Sequence, residues 1–151
     1  MTNANPTSTG LLPSELISFT SNAETEPFWA AAREHRLVVP RCVECGTFRF
    51  PPAAFCWTCR AQDVDWIEHD GAGDLYSFTI MRHAVIPNVA DALPLVIGVV
   101  ALPDTNGCRV IGNVIGNVIG CDPESVRVGM PLSLDWYDVE DGSVPCFRPR
   151  D

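Results

Sequence analysis

The stretch CVECGTFRFPPAAFCWTC, residues 42–59, decides the fold of this chain. It contains two Cys-x-x-Cys pairs, Cys42 with Cys45 and Cys56 with Cys59. Each such turn presents two thiolates to one point, and four thiolates satisfy the tetrahedral coordination of Zn²⁺. The loop between the pairs is shorter than in the commonest four-cysteine zinc fingers, but a hairpin ribbon accommodates it. The spacing therefore predicts one zinc ion held by all four sulfur atoms.

The predicted zinc is structural, because four protein thiolates leave no open coordination position for a reacting water molecule. Gly46 follows the first pair and can adopt the positive φ that such a turn often requires. Arg60 occupies the matching place after the second pair, so that turn is expected to be less ideal.

Two other uses of these cysteines were weighed. Disulfides require an oxidising compartment, and the N-terminus has neither the basic start nor the continuous apolar stretch of a signal peptide. A redox Cys-x-x-Cys needs only one pair, in a βαβ context. We therefore expect a cytoplasmic protein with reduced thiols. The other cysteines, Cys108, Cys121 and Cys146, are predicted to be small buried residues.

Composition excludes several classes of function. The chain has 151 residues, of which 46% are hydrophobic, and a formal net charge of -9. This suffices for a modest core, and no apolar run is long enough to span a bilayer. All ten basic residues are arginines, so neither a lysine Schiff base nor a P-loop lysine is possible. The acidic balance argues against sequence-independent binding to phosphate backbones.

The N-terminal region is predicted to be an arm followed by a helix. Residues 1–23 are rich in Thr, Ser, Asn and Pro, which indicates a flexible arm. Residues 24–38 read as a helix with Thr25 as its candidate N-cap. Phe28 and Trp29 lie on one side of this helix. Trp29 is expected to pack on its own domain, and the alternative is that the helix docks on another subunit.

The rest of the chain reads as strands and turns. We assign residues 39–62 to the zinc ribbon and residues 63–151 to a β-barrel. About five strands at this spacing, with no long helix among them, predict a small closed barrel such as an OB-fold, and a sandwich is the alternative. The five β-branched or aromatic runs are VDWIEH (64–69), DLYSFTIMRHAV (74–85), LPLVIGVVAL (93–102), CRVIGNVIGNVIG (108–120) and MPLSLDWYDV (130–139).

One of these runs, VIGNVIGNVIG at residues 110–120, repeats every four residues. Repeated glycine among β-branched residues argues against a helix. In a strand, valine and glycine share one face, while isoleucine and asparagine share the other. The glycines would let the strand coil sharply, as a small barrel requires.

No set of residues along the chain forms a recognisable catalytic constellation. The three histidines, His35, His69 and His83, are isolated, and the first two are predicted to be structural. His83 follows Arg82 in a long connection, residues 82–94, and loops of that length tend to be functional. This loop either reaches a partner's active site or an anionic ligand, or is a plain solvated loop.

Several motifs together resemble the DUF35 family, also called zinc-ribbon OB-fold proteins. They are FWAAAREHRLVVPRC, the paired CxxC motifs with RFPP between them, GAGDLYSFTIMRH, GCDPESVRVGMPL and the closing FRP. The resemblance covers roughly residues 24–150, and it implies an N-terminal helix, a rubredoxin-like zinc ribbon and an OB-fold barrel. Arg60 departs from the family's usual glycine, and the doubled GNVI unit exceeds the family pattern.

The resemblance also implies a role beside thiolase-superfamily enzymes that act on CoA thioesters. Settings of this kind include aldolases of steroid side-chain breakdown, acyltransferases and thiolase/HMG-CoA synthase assemblies. The thiolase-like chain carries the chemistry, and the DUF35 chain supports it and lines the CoA channel. We therefore expect a non-catalytic subunit of a hetero-oligomer, with retro-aldol cleavage of a steroid-type side chain narrowly favoured over acyl transfer.

Arginine can grip CoA phosphates by bidentate contacts without a basic surface. The rival interpretation is a single-stranded nucleic-acid-binding module, since OB barrels and zinc ribbons both serve that role and aromatic stacking offsets low charge. The candidate CoA- or partner-contacting residues are Phe28, Trp29, Arg82, His83, Arg109 and Arg148.

Overall fold

The computed structural model describes residues 10–114 and 122–150 as an arm, a helix, a two-stranded ribbon and a five-stranded barrel. None of the helices in these two ranges is long and apolar enough to cross a bilayer. The helix is α1 (Glu26–Ala32), and short 3-10 helices cover Ser14–Leu16 and Pro87–Ala92. The strands are β1 (Leu37–Cys42), β2 (Val64–His69), β3 (Gly73–Met81), β4 (Leu95–Ala101), β5 (Arg109–Val114), β6 (Pro131–Val139) and β7 (Gly142–Pro149).

Helix α1 ends at Ala32, earlier than the predicted end at residue 38. The chain leaves the helix through a turn in which His35 has a φ of 57°, and β1 then begins at once. Thr25 occupies the predicted N-cap position but makes no side-chain capping hydrogen bond. Its hydroxyl donates instead to Asn22 Oδ1 at 3.0 Å, which ties the arm to the start of the helix.

The ribbon pairs β1 with β2 in antiparallel register, from Leu37 opposite His69 to Cys42 opposite Val64. Residues 64–69 therefore lie outside the barrel, although the sequence analysis assigned the chain from residue 63 onward to it. Leu37 of β1 belongs to the same buried cluster as core residues of the barrel. The ribbon is thus packed on the barrel through a shared hydrophobic core.

The barrel closes in the strand order β3-β4-β5-β7-β6, and this confirms the predicted mainly β fold with a ribbon ahead of an OB-like barrel. Strands β5 and β7 pair in parallel, and a short antiparallel contact between β3 and β6 completes the closure. Strand β7 is absent from the strands that the sequence predicts. Its two prolines, Pro145 and Pro149, weaken the strand pattern, because proline cannot donate to a ladder.

The described part of the four-residue repeat follows the predicted alternation. Val110 and Gly112 are buried, whereas Ile111 is exposed. A Cβ atom at Gly112 would lie 2.7 Å from the carbonyl oxygen of Pro145, so glycine is needed where β5 passes β7. The remainder of the repeat, residues 115–120, lies outside the described residues.

The cysteines outside the paired motifs are buried where the structure describes them. Cys108 and Cys146 are 5% and 1% exposed, as predicted. Burial raises the pKa of the Cys146 thiol to about 12, which keeps this thiol protonated. Cys121 lies outside the described residues, so its predicted burial stays a prediction.

The connection at residues 82–94 is not an open loop throughout. Its 3-10 helix, Pro87–Ala92, buries Val89 and Ala92. Arg82 and His83, which precede this helix, are exposed. The connection therefore contains both buried and exposed residues.

Candidate metal centre and apolar cleft

The four predicted metal ligands converge. The sulfur atoms of Cys42, Cys45, Cys56 and Cys59 all lie within 4.8 Å of one another. The closest pairs are Cys42 with Cys59 at 3.5 Å and Cys45 with Cys56 at 3.6 Å. A tetrahedral site with Zn–S bonds of about 2.3 Å requires sulfur atoms about 3.8 Å apart. These four cysteines can therefore hold a structural zinc ion with only small adjustments.

The two Cys-x-x-Cys turns have the same backbone geometry. The Gly46 N–H donates to the carbonyl oxygen of Cys42 at 2.9 Å, and the Arg60 N–H donates to that of Cys56 at 2.8 Å. Gly46 has a φ of +73° and Arg60 a φ of +65°. The second turn thus places a residue with a side chain in a conformation that favours glycine, as the sequence predicted.

The thiols of the centre differ in acidity. The backbone N–H of Cys59, followed by that of Thr58, lowers the pKa of Cys56 to about 6 despite desolvation. For Cys59, the backbone N–H of Ala61 acts to lower the pKa of the thiol. Desolvation and the thiols of the other three cysteines of the centre outweigh this effect and raise that pKa to about 12. Zinc binding requires thiolate ligands, so a bound zinc ion would displace the protons of these thiols.

Arg49, in the loop between the two cysteine pairs, lies beneath the ribbon and is only 1% exposed. Its guanidinium donates to the carbonyl oxygens of Ala61 at 3.1 Å and of Gln62. Its backbone N–H donates to Pro40 of β1 at 2.9 Å. Arg49 therefore joins β1 to the residues that leave the second cysteine pair. Within the described residues its Nε has no hydrogen-bond partner.

An apolar cleft of about 720 Å³ lies between the helix–ribbon half and the barrel. Its floor includes Ile97 of β4 and Ile111 of β5, and its roof includes Trp29 and Phe50. Ile17 of the N-terminal arm closes one side. The floor belongs to adjacent barrel strands, the part of an OB-fold that commonly meets ligands.

Arg109 is the one charged residue among the described residues that line this cleft. Its guanidinium carbon lies 3.8 Å from the centre of the Tyr76 ring, a cation–π contact. It forms no ion pair within residues 10–114 and 122–150. The cleft therefore combines an apolar lining with one exposed arginine, whose guanidinium lies on the ring of Tyr76 beside the cleft lining.

Three of the six candidate contact residues come together at the cleft, namely Phe28, Trp29 and Arg109. Phe28 is buried and packs edge-to-face against Trp29, with ring centres 4.9 Å apart. Trp29 is half-buried and packs against the core, so both aromatic residues serve their own domain while lining the cleft.

The other three candidates lie away from the cleft lining. Arg82 pairs with Glu124 at 2.8 Å, and His83 is exposed beside it in the chain. Arg148 of β7 donates to Asp135 of β6 at 2.6 Å, and this bond lowers the pKa of the Asp135 carboxyl. These side chains do not form a joint site with Arg109.

A polar cluster joins the turn after α1 to the barrel. His35 Nε2 lies 2.6 Å from Asp138 Oδ1, and the Ser143 hydroxyl also donates to that oxygen. The His35 ring stacks on Trp136 at 5.9 Å. Serine and histidine thus bond to the same carboxylate rather than to each other, so this is not a serine-activating triad. His35 was predicted to suit a helix end, but α1 ends before it.

Two family descriptions match the chain side by side. "ChsH2, rubredoxin-like zinc ribbon domain" matches residues 29–65, and "ChsH2, C-terminal OB-fold domain" matches residues 66–137. The first match contains all four cysteines of the metal centre, and the second contains Arg109.

Two curated relatives are hydratase subunits. The chain is 37% identical over 124 residues to a probable enoyl-CoA hydratase alpha subunit of Thermomonospora curvata, covering 81% of this chain and 36% of the relative. It is 27% identical over 137 residues to the 3-oxo-4,17-pregnadiene-20-carboxyl-CoA hydratase alpha subunit of Mycobacterium tuberculosis, covering 91% and 41%. The chain thus spans about two fifths of the length of these relatives.

A solved structure, described as an Ltp2–ChsH2(DUF35) aldolase, contains a chain of nearly the same extent. The match has a TM-score of 0.77 and 33% identity. It covers 87% of this chain and 98% of the solved one. The similarity therefore extends over both the ribbon and the barrel.

Proposed function

The chain belongs to the ChsH2-type DUF35 family of zinc-ribbon OB-fold proteins, and on that premise we propose that it is a non-catalytic subunit of a thiolase-like enzyme acting on CoA thioesters. The observation that carries the proposal is the match over 98% of a chain from the Ltp2–ChsH2(DUF35) aldolase. We propose retro-aldol cleavage of a steroid-type side chain as the reaction. The relative named for a pregnadiene-carboxyl-CoA substrate supports the steroid class.

In this proposal the chain contributes shape and positioning rather than a reacting group. The tetrathiolate ribbon and β1 hold α1 against the barrel, because they share one core with it. In the connection at residues 82–94, Arg82 and His83 are exposed, so they are accessible to a partner. The partner would supply the catalytic residues and the greater part of the acyl-CoA channel.

A role beside an acyltransferase or thiolase is the nearest alternative. It uses the same class of partner and the same ligand, an acyl-CoA, so the structure of this chain supports both. The reaction products separate them. A retro-aldolase releases a ketone or aldehyde and a shortened acyl-CoA, whereas an acyltransferase moves the acyl group to a second acceptor.

The experiment is co-expression with a candidate thiolase-like protein. We expect the chain to be poorly behaved when purified alone and to form a stable hetero-oligomer with its partner. Co-elution on size exclusion measures assembly, and cleavage of a steroid-type β-hydroxyacyl-CoA measures activity. Full lyase or transferase activity from the partner alone would contradict the proposal.

A further inference from the structure

We propose that the apolar cleft binds an amphipathic carboxylic acid, with its apolar body against β4 and β5 and its carboxylate on Arg109. The inference goes beyond the proposed function and does not rest on it, because an acyl-CoA thioester has no carboxylate at its acyl carbon. The chemical class of the ligand follows from the cleft itself, which has an apolar lining and one arginine.

The cleft is held open by its own walls. Trp29 contacts Phe19 edge-to-face at 4.8 Å, and Phe28 contacts Phe50 in the same manner at 5.4 Å. Edge-to-face pairs of this kind are favourable, so they stabilise the observed positions of the aromatic side chains at the cleft. The resulting volume, about 720 Å³, is that of a preformed small-molecule site.

The floor of the cleft exposes apolar surface that a ligand would cover. Ile111 is 66% exposed although it lies in the middle of a barrel strand, and its partner on β4, Val99, is only half-buried. Clustered apolar surface of this kind marks a binding site more often than isolated exposed side chains do. Its burial under an aliphatic or alicyclic body is favourable in proportion to the area covered.

The position of Arg109 sets the charge of the ligand. Its guanidinium is held over the Tyr76 ring, so its conformational freedom is reduced before a ligand arrives. Planar guanidinium groups bind carboxylates by two parallel hydrogen bonds. Because the chain carries a net charge of -9, a single arginine in an apolar lining suits one carboxylate and not a polyanion.

The test is a pair of titrations of the zinc-loaded full chain, one with decanoate and one with decanol, which has the same alkyl chain but no charge. The chain is used free or in complex with its partner. Calorimetry should show saturable decanoate binding that is tighter than decanol binding by roughly tenfold, the value of one charge-assisted contact. Arg109→Gln should remove this preference, and Arg109→Lys should keep part of it. Ile111→Trp should block both probes by filling the cleft.

Arg127→Gln is the control, because Arg127 is exposed and does not line the cleft, and it should bind decanoate like the unmodified chain. Equal zinc content and melting temperature in each variant exclude misfolding as the cause. Absence of saturable decanoate binding would overturn the inference, and so would an Arg109→Gln variant that still prefers decanoate to decanol.

Two further outcomes test whether the ligand of the cleft is a carboxylic acid. Decanoyl-CoA lacks a carboxylate, so binding of decanoyl-CoA that exceeds that of decanoate and is unaffected by Arg109→Gln would overturn the carboxylate assignment. If the cleft variants prevent assembly with the partner and leave decanoate binding intact, the cleft is a protein-docking surface. For the unmodified chain, normal assembly without acid binding removes this inference alone, whereas acid binding without assembly removes the proposed function alone.

Discussion

Gly46 and Arg60 occupy equivalent positions with left-handed backbone conformation in the two cysteine turns. Glycine favours this conformation, whereas arginine does not. A residue with a Cβ atom in this conformation is strained by about 1–2 kcal/mol, whereas glycine adopts it freely. No atom lies within 4 Å of a Cβ built on Gly46, so a substitution there changes backbone preference and little else. The two positions therefore form a matched pair.

We expect Gly46→Ala to lower the free energy of unfolding by about 1 kcal/mol and Arg60→Gly to raise it by up to about 1 kcal/mol. Urea denaturation of the zinc-loaded chain measures both changes. Both changes are smaller than the backbone strain alone, because alanine lowers and glycine raises the entropy of the unfolded chain. If Arg60→Gly is clearly destabilising, the Arg60 side chain stabilises the fold by more than its backbone strain costs.

At this scale the cysteine ligands could be predicted, because Cys-x-x-Cys spacing is a local property of the sequence. Arg49 could not be singled out. It was visible only as part of the RFPP motif, and its burial depends on Ala61 and Gln62, which approach it through folding of the ribbon. A charged residue within an apolar stretch was the only available signal.

At the scale of elements, the metal centre is what holds the ribbon together. Cys42→Ser or Cys56→Ser should lose zinc and destabilise the helix–ribbon half by several kcal/mol, since a structural zinc contributes folding energy directly. Metal analysis and thermal unfolding measure the two effects. Cys108→Ala removes a buried thiol outside the centre and should keep the zinc. A serine variant that melts normally would show that the site is dispensable.

The ribbon is also held by Arg49. Arg49→Met should leave two peptide carbonyls without their charged donor and lower the free energy of unfolding by about 2–3 kcal/mol. Zinc should then be extracted faster by a chelator, because the residues after Cys59 lose an anchor. Arg41→Met is the matched control, since Arg41 makes only weak side-chain contacts, an exposed 3.9 Å ion pair with Asp65 and a 6.0 Å cation–π contact with Phe48. If the two substitutions change the free energy of unfolding and the rate of zinc extraction equally, Arg49 does not hold the ribbon together.

The sequence predicts which types of element are present, but it does not predict correctly which strands form the barrel. The number of barrel strands was right, yet residues 64–69 pair with β1, and β7 replaces them in the barrel. Hydrophobic alternation identifies a strand without identifying its neighbour, because pairing is decided by contacts distant in sequence. The end of α1 was missed for a related reason, since the turn at His35 is accommodated by its contact with Asp138.

At the scale of the whole molecule, the distribution of charge argues against the nucleic-acid alternative. Five of the ten arginines face carboxylates, so these five add little positive potential. The ion pairs are Arg33–Glu26, Arg36–Glu34, Arg36–Glu68, Arg41–Asp65, Arg82–Glu124 and Arg148–Asp135. Counterion release requires unpaired cations along a surface, and this surface lacks such a row within the described residues.

We therefore expect no micromolar binding of single-stranded DNA at low salt. Fluorescence anisotropy with a labelled oligonucleotide measures this directly. Micromolar or tighter binding that falls steeply with salt would favour the nucleic-acid module over the subunit.

The shared core makes the ribbon and the barrel one cooperative unit, although the two family matches meet between residues 65 and 66. Phe28 and Leu37 lie in one buried cluster with Phe147 of the last strand. Cutting the chain at that junction would therefore expose core residues of the barrel and would not give two independently folded domains. Surface loops could then vary freely during evolution, whereas the ribbon and the barrel would have to be inherited together. For the same reason the two halves would unfold in one transition.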